Sequence, residues 1–96
     1  MSEDSVPAEL LEVRQKIDAI DAQLVEILAA RFELTHQVGL LKASQQLDAL
    51  DSGREAEKLA RLREMCADNG LNPDLVTELF SKIMQEVVKN HRKLRT

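Results

Sequence analysis

One arginine of this sequence lies among apolar residues rather than on the polar face of its predicted helix. Arg31 falls within residues 9–43, a stretch whose apolar residues recur every three or four positions, with one gap that Arg31 fills. These apolar residues form a seam that comprises Leu10, Val13, Ile17, Ile20, Leu24, Ile27, Leu34, Val38 and Leu41. This recurrence is typical of a helix that packs along its length against other helices. A cation in such an apolar seam is costly to bury unless an anion meets it there. The sequence therefore poses the question of which anion Arg31 binds.

Two further cations share the helix of Arg31. Lys42 follows Arg31 by nearly three helical turns, so the two side chains point in similar directions about 16 Å apart and can both reach a small anion between them. Arg14 lies about 25 Å from Arg31 along the same axis. It could reach that anion only from an antiparallel second copy of the helix.

A second charged group follows the loop after this helix. Arg54 and Glu55, preceded by Asp51, open the next helix, where backbone N–H groups and the helix dipole favour an anion. His91 continues the apolar face of the last helix. Arginine pairs with a carboxylate through two parallel hydrogen bonds, whereas carboxylates accept hydrogen bonds from hydroxyl groups. Together these residues predict a site for a small dicarboxylate that carries hydroxyl groups.

Each of these residues also has an ordinary explanation. Arg31 could pair with a carboxylate of another helix, Asp51 and Glu55 could be helix caps, and His91 could be a surface histidine. Cys66 is predicted to be core filler. The sequence contains no metal-ligand spacing, Gly-rich phosphate loop or nucleophile motif, so neither a metal nor a cofactor is predicted. The combination of charges, rather than any one of them, indicates a site.

Periodicity and capping signals predict an all-α chain of three helices. The first is very long, from about residue 7 to residue 43. The second begins at residues 52–55, which have the Ser-x-x-Glu form of a capping box, and stops at Asn69-Gly70. The third begins at Asn72-Pro73. The expected inner faces comprise Ala56, Leu59, Leu62 and either Met65 or Cys66 on the second helix, and Leu75, Val76, Leu79, Phe80, Ile83, Met84, Val87 and Val88 on the third.

Length and composition limit the class of protein. We expect residues 1–96 to form one helical domain, with residues 1–7 frayed. A helix of roughly 50 Å in so short a chain leaves apolar area uncovered, which predicts partner subunits. The net charge of −4 argues against nucleic-acid binding and anionic membranes. A single cysteine, no apolar run long enough for a membrane span and no signal-peptide pattern favour a cytoplasmic protein.

Four motifs in register resemble the small all-helical chorismate mutases over nearly the whole chain. They are LEVRQKID at residues 11–18, LAARFEL at 28–34, VGLLK at 38–42 and DSGRE at 51–55. The resemblance implies an intertwined homodimer of three-helix chains, in which the long helices pair and form two active sites. It further implies that Arg14 enters the site from the other chain and binds a carboxylate of the substrate.

The resemblance also implies roles for the remaining residues. Arg31 and Arg54 would bind carboxylates within their own chain, and Lys42 would contact a carboxylate and the ether oxygen of the breaking bond. Asp51 and Glu55 would hold the ring hydroxyl group.

The third helix departs from the family's pattern at two positions. His91 stands where the family usually presents a Gln or Glu to the ether oxygen, and Val87 stands where a Ser is frequent. We expect both to contribute to the site, with His91 as a donor.

The implied reaction is the rearrangement of chorismate to prephenate, an intramolecular step that needs no nucleophile or cofactor. A cage of cations can hold the reactive conformer and stabilise negative charge on the ether oxygen. Two alternatives remain: a lyase on the same fold that removes pyruvate from isochorismate, and a non-catalytic helical dimerisation module. A further possibility is that the dimer forms a complex with another enzyme of the shikimate pathway.

Overall fold

The computed structural model describes residues 6–95, which form three helices: α1 (Ala8–Ser44), α2 (Ser52–Asn69) and α3 (Pro73–Lys93). No strand occurs within these residues, and the prediction of an all-α chain with three helices is confirmed. Residues 1–5 of the segment predicted to be frayed lie outside the described residues. Within the described part, no helix is both long and apolar enough to cross a membrane.

The chain divides by its internal contacts into two units, Met1–Glu33 and Leu34–Thr96. In the first unit, six apolar residues of the predicted seam of α1 are 41% to 65% exposed. They are the predicted seam residues Leu10, Val13, Ile17, Ile20, Leu24 and Ile27. The apolar stripe of this unit is therefore not buried within a single chain.

The second unit has a small core between α2 and α3, which pack against each other. Leu62 and Cys66 of α2 and Met84 of α3 are each at least nine-tenths buried. Of the two alternatives on the inner face of α2, Cys66 is correct, because Met65 is 50% exposed.

The apolar face of α3 is wider than α2 can cover. Leu75 and Leu79, both predicted to lie on the inner face, are 64% and 55% exposed. On α1, the seam residues Leu34, Val38 and Leu41 of this unit are also exposed. In this unit, α1 and α3 thus each present apolar surface that one chain does not bury.

The ends of α2 and α3 follow local capping rules with one correction. Gly70 ends α2 in the left-handed conformation (φ 67°), and Asn72 caps α3 by accepting a hydrogen bond from the backbone N–H of Asp74, both as predicted. The predicted Ser52–Glu55 capping box was wrong, because the N-cap is Asp51, whose Oδ1 accepts a hydrogen bond from the Arg54 N–H at 3.0 Å. A carboxylate is a stronger acceptor at the positive end of the helix dipole than a hydroxyl group.

The end of α1 carries a cap that the sequence did not reveal. Gln46 adopts a left-handed conformation with φ 57°. The Leu47 N–H donates to the carbonyl of Lys42 at 2.8 Å, and the Gln46 N–H donates to that of Ala43 at 3.3 Å. This is the hydrogen-bond pattern of a Schellman cap, which usually has glycine at the left-handed position.

Candidate functional site

The start of α2 brings three of the predicted site residues together. Asp51, as the N-cap, holds the first turn, in which Arg54 and Glu55 follow, and the Glu55 N–H donates to the Asp51 carbonyl at 3.0 Å. Arg54 is exposed, whereas Glu55 is half-buried. The backbone N–H groups and dipole at this end favour an anion, and the Arg54 guanidinium adds a bidentate donor for a carboxylate.

Lys42 is tied to the loop that leads to α2. Its Nζ donates to the carbonyl of Ala49 at 3.2 Å, and its own carbonyl accepts the Leu47 N–H. Ala49 is 8% exposed, so this part of the loop belongs to the core. The Lys42 ammonium is therefore held near the residues that precede Asp51, by contacts at both ends of the residue.

Glu55 lines a groove of about 420 Å³ between the start of α2 and the end of α3. Its other walls are Leu50, Gln85, Val88, Lys89, Arg92 and Lys93. A second cavity of about 340 Å³ shares Leu50 and Arg92 with it and adds Arg95. The cations of α3 in this groove were not among the residues predicted from the sequence to form a site. The sequence signal that could have indicated them is their spacing at residues 89, 92 and 93, next to Val88 on the apolar face of α3.

Val87 and His91 lie one turn apart on α3, as predicted, but their surroundings differ. Val87 is half-buried, whereas His91 is only 3% exposed. The Nε2 atom of His91 lies 2.7 Å from the carbonyl oxygen of Thr35 on α1. His91 is thus a buried residue between two helices rather than a histidine at a solvated helix end.

Arg14 and Arg31 belong to the other unit of the chain, where both lie on α1. Arg14 is exposed and Arg31 is half-buried. Because both lie on one helix, the rise per residue puts them about 25 Å apart along its axis. One arginine of this helix is thus open to solvent, and the other is partly covered.

The described residues include groups that can bind an organic anion. Within the described part of the chain, no group of three or more His, Cys, Asp or Glu side chains could hold a metal ion. Lys42 and Arg54 can pair with carboxylates, and Glu55 and Asp51 can accept hydrogen bonds from hydroxyl groups.

Comparison with known proteins identifies the family to which these features belong. The model of the family described as chorismate mutase type II matches residues 13–92. The chain is 37% identical to the T-protein of Enterobacter agglomerans over 79 residues, which cover 82% of this chain and 21% of that protein. It is 34% identical over 85 residues to the bifunctional chorismate mutase/prephenate dehydratase of Escherichia coli K12, covering 88% of this chain and 22% of that protein.

A third relative is of similar length to this chain. The chorismate mutase of Methanocaldococcus jannaschii is 26% identical over 76 residues, which cover 79% of this chain and 77% of that protein. By contrast, the chain spans about a fifth of the length of the T-protein and of the dehydratase. Because the family model covers most of the three-helix chain and all of its predicted site residues, the chain belongs to the chorismate mutase type II family.

Proposed function

We propose that this chain is a chorismate mutase, which rearranges chorismate to prephenate. The observation that carries the proposal is that the family match at residues 13–92 includes every predicted site residue, from Arg14 to His91. The name of the Methanocaldococcus jannaschii relative, chorismate mutase, supports the same activity for a protein of similar length. We further propose that residues 1–96 form one domain of this kind.

The proposed site uses the cations of α1 and the first turn of α2 to hold the two substrate carboxylates. Arg31 and Arg54 bind carboxylates, Lys42 contacts a carboxylate and the ether oxygen, and Asp51 and Glu55 hold the ring hydroxyl group. The contacts that hold Lys42 to the 47–49 loop support its role, since a cation that is already in place loses little entropy on binding. The arrangement of Arg54 and Glu55 behind the Asp51 cap supports theirs.

A second copy of the chain completes the site by supplying Arg14. The seam residues of α1 between residues 10 and 27, which are 41% to 65% exposed, support a homodimer that pairs these helices. Burying such a stripe against a partner is favourable by roughly 25 cal/mol for each Å² removed from water. An intertwined dimer built on a very long α1 would present Arg14 of one chain to the site of the other.

The chemistry needs only position and charge from the protein. Chorismate must adopt a folded conformer in which the two ends that react lie close together, and the cations select this conformer by binding both carboxylates. Negative charge grows on the ether oxygen as its bond breaks, and Lys42 stabilises it. No proton transfer, metal or cofactor enters this step.

We place the enzyme in the cytoplasm. The buried thiol of Cys66 supports this location, because a free cysteine is kept reduced there. A complex with another enzyme of the shikimate pathway is a further proposal.

An assay that separates the two candidate reactions tests the proposed function. The purified protein is given chorismate and, separately, isochorismate, and the products are identified as prephenate or pyruvate. We expect loss of chorismate with formation of prephenate, and loss of this activity in Arg54→Ala. Arg63→Ala is the matched control, since Arg63 forms an exposed ion pair with Asp74 at 3.1 Å, away from the start of α2.

Two results would contradict the proposal. Pyruvate formed from isochorismate, without turnover of chorismate, would assign the lyase reaction instead. A folded protein that turns over neither substrate, and that does not bind a dicarboxylate analogue of the transition state, would indicate the dimerisation module.

A further inference from the structure

The ring of His91 contacts the backbone of α1. Its Nε2 atom lies 2.7 Å from the carbonyl oxygen of Thr35, 56 positions earlier in the chain. A carbonyl oxygen can only accept a hydrogen bond, so Nε2 carries a proton and donates it. This contact assigns a protonated Nε2 to His91.

Gly39 makes this close approach possible. A Cβ atom at Gly39 would lie 2.6 Å from Cδ2 of His91 and 3.0 Å from its Nε2. The edge of the ring that carries these two atoms therefore rests directly on the backbone of α1, where only glycine leaves room. The sequence offered no reason for a glycine inside this helix.

The other ring nitrogen is covered as well. Nδ1 of His91 is buried and has no hydrogen-bond partner among the described residues. In this arrangement neither nitrogen is open to a ligand. The ring is thus placed to join two helices, which differs from the donor role expected from the sequence.

Lys42 lies on the face of α1 that the ring contacts. Thr35, Gly39 and Lys42 are spaced by four and three residues, so they follow one another along one face of the helix. The ring covers the first two positions, and Lys42 comes one turn later, with its Nζ on the carbonyl of Ala49. A shift of α3 away from Gly39 would remove the ring that packs on α1 one turn before Lys42.

We propose that His91 is a positioning residue, whose Nε2–H bond to Thr35 and edge contact with Gly39 clamp α3 to α1 and hold Lys42 in place for catalysis. The role of Lys42 rests on the proposed function, whereas the clamp itself does not. The clamp is a property of the free protein. Its failure can therefore be distinguished from failure of the proposed activity.

Nitrogen-15 NMR of the imidazole rings tests the clamp without any assay of activity. The chain has two histidines, and exposed His36 is the internal reference, assigned with His36→Gln. We expect His91 in the free protein to carry its proton on Nε2, with a tautomer unchanged when a dicarboxylate analogue of the transition state saturates the site. A proton on Nδ1 alone, or loss of the Thr35 hydrogen bond when the analogue binds, would overturn the proposal.

Two variants of His91 then distinguish the contributions of its two ring nitrogens. The amide nitrogen of glutamine can take the place of Nε2, while the shorter asparagine reaches only the place of Nδ1. His91→Gln should therefore keep the urea midpoint and most of kcat/KM, and His91→Asn should lower both, with a loss in kcat/KM on the order of tenfold or more from a misplaced Lys42. Equal midpoints for the two variants would overturn the clamp. If His91→Asn does not fold, the nitrogen-15 spectra of the wild-type protein still test whether Nε2 of His91 donates to Thr35.

Discussion

Replacing Gly39 with alanine tests the contact between α1 and α3 most directly. The added Cβ would lie 2.6 Å from Cδ2 of His91 and 2.8 Å from Cδ1 of Leu94, whereas ordinary contact begins at 3.4 Å. The end of the Leu94 side chain can rotate away, but the histidine ring is held by its hydrogen bond to Thr35. The ring and the helix behind it must therefore withdraw by about 0.8 Å.

The size of the effect follows from three contributions. Overpacking of this kind costs about 1–3 kcal/mol, and a weakened hydrogen bond to Thr35 costs about 0.5–1.5 kcal/mol. Alanine is favoured over glycine inside a helix by about 1 kcal/mol, which offsets part of this cost. Together these contributions predict that Gly39→Ala lowers the free energy of unfolding by about 0.5–3.5 kcal/mol. Urea unfolding, followed by circular dichroism at one protein concentration, measures it.

Gly53 provides the matched control on α2. A Cβ there would lie 3.7 Å from Oδ1 of Asp51, an ordinary contact, so Gly53→Ala should leave stability unchanged or raise it by up to about 1 kcal/mol. The same change should also become nearly neutral at Gly39 once the ring is removed by His91→Ala. If Gly39→Ala is as stable as the wild type, or costs the same with and without the His91 ring, the close contact is refuted.

Three further predictions concern the site, the dimer and the cap of α1. Arg14→Ala and Arg31→Ala should each abolish chorismate turnover, and mixing the two variants should restore part of it, since a heterodimer has one site with both arginines; verified subunit exchange without recovery would exclude a shared site. Val38→Asp should cause the dimer to dissociate and unfold in one transition, seen by sedimentation and urea unfolding, because Val38 would face the partner. If Val38 were instead an exposed residue of a monomer, the substitution should change the free energy of unfolding by less than about 0.5 kcal/mol. Gln46→Gly should raise the free energy of unfolding by about 0.5–1 kcal/mol, because Gln46 has φ 57° and glycine adopts this conformation without strain. A less stable Gln46→Gly variant would contradict that assignment.

Much of the fold could be predicted from the sequence because its signals are local. The spacing of apolar residues predicted three helices, Gly70 predicted the end of α2, and Asn72 predicted the start of α3. Each of these signals acts within one or two helical turns, so neighbouring residues in the sequence suffice to recognise it. The four motifs also identified the family, which the match to residues 13–92 confirmed.

Local signals were less decisive where two residues compete for the same role. Ser52 and Asp51 both stand at the start of α2, and the carboxylate became the cap. Gln46 has no strong preference for a left-handed conformation, so the cap of α1 left no mark in the sequence. At Gln46 the surrounding chain, rather than the residue type, selects the conformation.

The candidate site depended more heavily on tertiary structure. The sequence was sufficient to place Arg54 and Glu55 in the first turn of α2, because that placement depends only on where the helix begins. The surroundings of His91 are set by Thr35 and Gly39, the first of which lies 56 positions away in sequence. Periodicity shows which face of α3 is apolar, but it does not show which backbone that face meets or how closely. Only the packing of α3 on α1 turned a glycine with no evident purpose and a histidine at a helix end into a single contact.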